Sequence, residues 1–139
     1  MRVMLLTALV SIAASTTALA QESYPDLVGT WKGQSFGVQL KDDGSGDFYS
    51  EDVTQVVTEQ KDRRFVGRMF SGEGAEQFRV SFAGIFLDAT SFRWSEPNGF
   101  VEGRMIDPET MDSCYVQTGA PKPIVTCHIL KRQKQGDSR

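Results

Sequence analysis

Apolar and polar residues alternate along most of the chain. In Gln77–Leu87, Phe78, Val80 and Phe82 fall on one side and Gln77, Arg79 and Ser81 on the other, which is the period of a strand with one buried face. Arg64–Phe70 groups Phe65, Gly67 and Met69 against Arg64, Val66, Arg68 and Phe70. Thr90–Ser95 groups Phe92 and Trp94 against Ser91, Arg93 and Ser95. An earlier run, Val28–Leu40, sets Gly29, Trp31 and Gly33 opposite Thr30, Lys32 and Gln34, with Gly37 placed for a bulge. Val53–Gln60 is rich in Val and Thr, and Phe100–Ile106 and the closing runs 109–118 and 123–131 complete a count of about eight strands. No stretch carries a helical period.

Polar and glycine-rich segments separate these runs. Pro25 breaks the segment Gln21–Asp26, Lys41–Asp47 reads as a loop, and Lys61-Asp62-Arg63, Ser71–Ala75 and Asp88-Ala89 read as turns. Glu96-Pro97-Asn98-Gly99 is the strongest turn signal, because Asn-Gly suits a type I′ hairpin. Short turns between successive strands favour a meander. The expected fold is therefore an all-β, up-and-down antiparallel barrel, with a two-sheet sandwich as the alternative. Aromatic–glycine steps at Phe65-Val66-Gly67, Phe82-Ala83-Gly84 and Phe100–Gly103 fit the barrel, since glycines let strands bend and rings fill the interior. Closure also removes exposed sheet edges.

The first strand opens Gly29-Thr30-Trp31. With the strand count and the length, this resembles the start of lipocalin and avidin-type barrels, the calycin group. The resemblance implies a barrel with Trp31 plugging one end, and it speaks for the barrel more than for a ligand. No polar set matching the biotin site of avidins accompanies it, and no second lipocalin motif stands near the closing strands.

Residues 1–20 carry Arg2, an apolar run over Val3–Ala14 and Ala18-Leu19-Ala20. This is the pattern of a secretory signal cleaved after Ala20. The apolar run is short for a membrane span. The expected mature chain, 21–139, is one domain with a tail frayed from about residue 133. It is expected to be exported, periplasmic or extracellular, with no membrane insertion. A net charge of −3 disfavours a nucleic-acid partner, since phosphate binding needs clustered positive charge. The one basic cluster, Lys131-Arg132-Gln133-Lys134, reads as part of a solvated terminus.

Cys114 and Cys127 are the only cysteines. In an exported chain they are expected to pair. A turn centred between Ala120 and Pro121 would set them directly opposite each other, within reach of a disulfide. Their spacing is not that of a C-x-x-C redox motif, and only His128 lies nearby as a further metal ligand. No metal or cofactor is expected. Lys41–Asp47 does not register with the calcium loop of an EF-hand.

Catalytic motifs are missing: there is no Gly-x-Ser-x-Gly elbow and no H-E-x-x-H helix. His128 stands alone on a strand. Asp107, Glu109 and Asp112 could pair as carboxylates, but they read as a solvated turn. The expected function is a non-catalytic binding protein for a small apolar ligand, with Trp31, Phe65, Phe82 and Trp94 as contacts. Two alternatives stand beside it. One is a protein-binding or inhibitory module acting through Asp42–Ser50 and Ser71–Ala75. The other is an enzyme without a recognised motif.

Overall fold

The alternating runs form eight antiparallel strands in a computed structural model that describes residues 23–72, 78–119 and 122–134, Phe78 by its backbone alone. The expected signal, the middle of the Ser71–Ala75 turn, the Ala120-Pro121 turn centre and the end of the tail lie outside the described residues. The strands are β1 (Gly29–Leu40), β2 (Gly46–Lys61), β3 (Arg64–Ser71), β4 (Phe78–Phe86), β5 (Ser91–Glu96), β6 (Gly99–Asp107), β7 (Thr110–Gln117) and β8 (Ile124–Arg132). Each pairs with the next, and β8 returns to β1 from Trp31↔Arg132 to Gln39↔Ile124. The sheet is thus a closed barrel, and the sandwich alternative is excluded.

The expected inner faces are the buried ones. Trp31, Phe65, Phe82, Phe92 and Trp94 point inward and are buried, while Lys32, Arg64, Arg68 and Arg93 are exposed. Two of the aromatic–glycine steps have a cross-strand cause, while Phe100 faces outward and the ring over Gly103 is Phe92. Phe65 pairs with Gly84, Phe82 with Gly67, Phe92 with Gly103 and Tyr49 with Gly37. In each case a Cβ on the glycine would fall 2.4–2.5 Å from the facing ring. The rings lie flat across bare backbone on the neighbouring strand, which lets a narrow barrel hold so many of them.

Four local expectations are corrected. β2 begins at Gly46, well before the expected Val53. Main-chain pairing with β1 carries it through polar residues, from Leu40↔Gly46 to Gln34↔Asp52. The loop shrinks to Lys41–Ser45, closed by Lys41 N–H to Ser45 O at 2.8 Å, with Gly44 at φ 82°. The β5–β6 turn is centred on Pro97-Asn98, since Glu96 pairs with Gly99. Proline holds φ negative, so a type I′ turn cannot form there. Gly99 is kept small instead by the Val116 carbonyl, 2.3 Å from where its Cβ would sit. The register shifts fall between Val57 and Glu59 and between Met105 and Asp107, while Gly37 stays in register under Tyr49. Lys131 and Arg132 belong to β8, and Gln133 N–H still donates to Thr30 O at 2.8 Å.

Cys114 and Cys127 face each other on β7 and β8 and are bonded, 4.0 Å apart at Cα. Their strand positions place the bond on the outer wall, alternating with inward Ser113 and His128.

Candidate functional site

One end of the barrel is sealed by the segment that precedes β1. Leu27 is buried, and its carbonyl accepts from Trp31 Nε1 at 2.9 Å. Gln60 bridges the same segment, accepting from Leu27 N–H and donating to the Pro25 carbonyl. Arg132 lies over the Trp31 ring, 4.2 Å from its centroid, and donates to the carbonyls of Val28 and Asp26. The cation, the ring and the chain ends thus lock together. Sequence reasoning left Arg132 in a solvated terminus, because a basic cluster near the end gives no sign of the ring it covers.

Above this plug lies an aromatic layer. Phe65, Phe82, Phe86, Phe92 and Trp94 form one cluster, with Phe82 on Trp94 at 4.9 Å and Phe92 on Trp94 at 5.4 Å between centroids. Of the four residues expected to contact a ligand, Phe65, Phe82 and Trp94 are brought together. Trp31 stands apart in the plug, buried against Leu27 and Arg132.

The other half of the interior is polar and reachable. On the inner faces beyond the rings, Gln39, Tyr49, Glu51, Tyr115, Ile124 and Thr126 are all partly exposed. Inward residues at the plugged end, such as Trp31, Phe86 and Phe92, are 0–1% exposed. Among the described residues, the barrel is therefore closed at one end and reachable from the other. Between mouth and rings lies a belt of buried polar side chains: Ser35, Gln55, Ser71, Glu96, Ser113, Gln117 and His128.

Most of the belt is hydrogen-bonded. Ser35 meets Thr126 at 2.7 Å, Tyr115 donates to Gln117 Oε1 at 2.9 Å, and Gln117 donates to the Lys122 carbonyl. Gln55 Nε2 meets His128 Nε2 at 3.3 Å. With the amide as donor, Nε2 accepts and Nδ1 carries the ring proton. Burial pushes the His128 imidazole down to about 4, opposed by the charge of Asp112. The ring is neutral at physiological pH. His128 Nδ1 and Ser113 Oγ have no hydrogen-bond partner, although Ser113 and His128 face each other across β7 and β8.

Glu96 is 8% exposed, and Trp94 Nε1 donates to its Oε1 at 2.9 Å. Burial raises its pKa, and the Trp94 bond lowers it. Burial raises Tyr115 as well, with the charge of Glu96 and then Tyr49 adding to the shift. Tyr49 is raised by burial and by Glu51, against a hydrogen bond with Thr126. These groups share one electrostatic neighbourhood at the mouth. Sequence reasoning missed Glu96 because it reads as the first residue of a turn. It missed Tyr49, Glu51 and Gln55 because their alternation lay outside, or was polar within, the expected second strand.

The other expected sites come apart. Asp107 Oδ1 accepts from Glu109 N–H at 2.8 Å, Glu109 lies 3.6 Å from Arg132, and Asp112 lies 3.5 Å from Arg104. The three carboxylates have separate partners and form no pair. Asp43 caps its own turn, accepting from the Ser45 amide and hydroxyl. A cleft of about 700 Å³ lies outside the plugged end, lined by Tyr24, Pro25, Met105, Ile106, Pro108 and Arg132 among others.

No protein-family model matches this sequence, and neither does any curated protein. Solved structures resemble it in fold. A protein of unknown function from the DUF3598 family of Nostoc punctiforme is similar over 86% of this chain, at 11% identity and a TM-score of 0.55. This chain spans about half of that protein, 53% of its length. An S-type phycobiliprotein lyase from Guillardia theta is similar over 78% of this chain and 89% of its own, at 10% identity and a TM-score of 0.52. At these identities the likeness concerns the barrel alone.

Proposed function

We propose that this protein is a non-catalytic, exported barrel of calycin type that binds a small, largely apolar molecule in the open half of its interior. The observation that carries this reading is the pair of partnerless atoms, His128 Nδ1 and Ser113 Oγ, buried on the inner wall. Leaving such groups unpaired is costly, so proteins rarely retain them without a partner from outside the chain. The aromatic layer, with its Phe82–Trp94 stack, supplies an apolar floor to the interior. Export is supported by the Met1–Ala20 pattern and the Cys114–Cys127 bond. The calycin type is supported by Gly29-x-Trp31 at a sealed barrel end. The absence of catalysis is supported by the setting of His128, neutral and bonded to the Gln55 amide with no carboxylate to orient it.

Native mass spectrometry of the protein purified from its own compartment tests the reading. The expected result is a bound small molecule that is lost in Trp94→Ala or His128→Phe with the circular dichroism unchanged. A ligand-free mass, together with unaltered binding of apolar dyes in both variants, would overturn it.

A protein partner is the second reading, and one observation favours it. Phe48 is 81% and Phe36 62% exposed on the outer face of the β1–β2 hairpin, where Phe36 pairs with Ser50 and Phe48 with Val38. Affinity capture with Phe48→Ser as the control tests it. A partner retained equally by wild type and variant would remove this hairpin from the interface.

A further inference from the structure

Among the described strand residues, the inward charged groups near the mouth have one sign. Inward positions near the mouth carry Glu51 and Glu96, while the inward arginine, Arg132, lies at the opposite end beneath Trp31. His128, the remaining basic group on the inner wall, is neutral. Glu96 has one hydrogen-bond partner among the described residues, the indole N–H of Trp94. A carboxylate taken out of water wants a cation or several donors, and one neutral donor is a poor substitute. One ring stands close to it: Tyr115 lies over Gly99, the cross-strand partner of Glu96, and feels its charge, while Tyr49 lies further round the wall, close enough to be felt by Tyr115. Both tyrosines are held in place by glycines. Tyr49 lies on Gly37 and Tyr115 on Gly99, where a Cβ would come within 2.4 and 2.8 Å of the rings. Aromatic faces around a desolvated carboxylate are complementary to an organic cation, through ion pairing and cation–π attraction together.

We infer that the ligand of the interior site is a lipophilic ammonium ion, its charged end at Glu96 beside Tyr115 and its apolar body against the aromatic layer. This rests on the interior binding site proposed above and adds the sign of the ligand's charge. The unpartnered Ser113 and His128 groups lie on the same inner wall, a second and independent mark of a missing partner. A carboxylate-bearing ligand is disfavoured by the same geometry, since it would meet Glu51 and Glu96 on the inner wall.

Calorimetric titration with phenethylammonium, phenethyl alcohol and phenylacetate tests the inference, because these probes share a ring and differ in charge. The ammonium should bind about tenfold tighter than the alcohol, the scale of one partly desolvated cation contact, and the carboxylate weakest. Glu96→Gln keeps an acceptor for Trp94 and should erase the preference while leaving the alcohol unchanged. Glu51→Gln, at the more exposed position, should reduce it less. Equal binding of ammonium and alcohol, or a preference that survives Glu96→Gln, would overturn the cation and leave the interior site standing. Failure of all three probes to bind the folded protein would overturn both.

Discussion

Trp31 is fixed from three directions: a hydrogen bond to the Leu27 carbonyl, the Arg132 guanidinium over its ring, and the Leu27 side chain buried in the same cluster. Trp31→Ala is therefore expected to cost about 3–5 kcal/mol, with no comparable loss at Lys32 on the outer face. Urea unfolding followed by circular dichroism measures both. The inward placement of Trp31 was legible from alternation, whereas its Arg132 partner, about a hundred residues away, was not, because no local pattern encodes a contact across the barrel seam. His128 gives the clearest pH signature. Unfolded, its pKa returns to the ordinary 6.5, while folded it lies at about 4. Its contribution is complete above about 6.5 and is lost as the pH falls toward 4, by about 3 kcal/mol in all. Glu96 works in the opposite direction, since its raised folded pKa gives a contribution that is lost as the pH rises through the acid range. Urea midpoints between neutral pH and pH about 4 should fall in wild type, and fall less in His128→Gln.

The elements were legible where one face is apolar and obscure where it is not. β3, β4 and β5 carry inward Phe65, Met69, Phe82, Phe92 and Trp94 and stand close to where alternation places them. The first half of β2 was missed, because Gly46–Asp52 pairs with β1 through its main chain while most of its side chains meet water. The mouth of the barrel was lost with it, and Tyr49 and Glu51 along with the mouth. The turn Glu96–Gly99 stands where its residues placed it, but the type I′ reading of Asn98-Gly99 fails because Pro97 occupies the first central position. The cysteine pairing was readable because both strands and their turn are local. Reducing Cys114–Cys127, or replacing both by alanine, is expected to cost about 2–3 kcal/mol through the freed chain entropy of a short loop. Differential melting with and without reductant measures it, and an unchanged midpoint would contradict it. Gly67→Ala should also destabilise the barrel, since the new methyl would meet Phe82 and the Val56 carbonyl at 2.5 Å. The backbone carbonyl cannot move aside as a side chain could.

At the scale of the molecule, the barrel is a plug, an aromatic layer and an open polar half stacked along one axis. The plug and the aromatic layer are the stable part, and the polar half is where function is proposed. The exposed pair Phe36 and Phe48 adds an apolar outer surface to the β1–β2 hairpin. Phe48→Ser should leave the melting temperature within about three degrees of wild type, as surface changes usually do. The seam between β1 and β8 has a consequence for connectivity. Every pairing but this one joins neighbours in sequence. At the seam the first and last strands meet, Arg132 donating to the Asp26 and Val28 carbonyls and Gln133 N–H to the Thr30 carbonyl. Topologically the protein is a ribbon of hairpins wound into a ring and cut once, and the position of the cut is arbitrary. A circular permutant that joins Lys134 to Ser23 through a short flexible linker and opens between Pro97 and Asn98 would keep every strand pair. It would turn the seam into an ordinary hairpin and move the slow, long-range closing step of folding to β5 and β6.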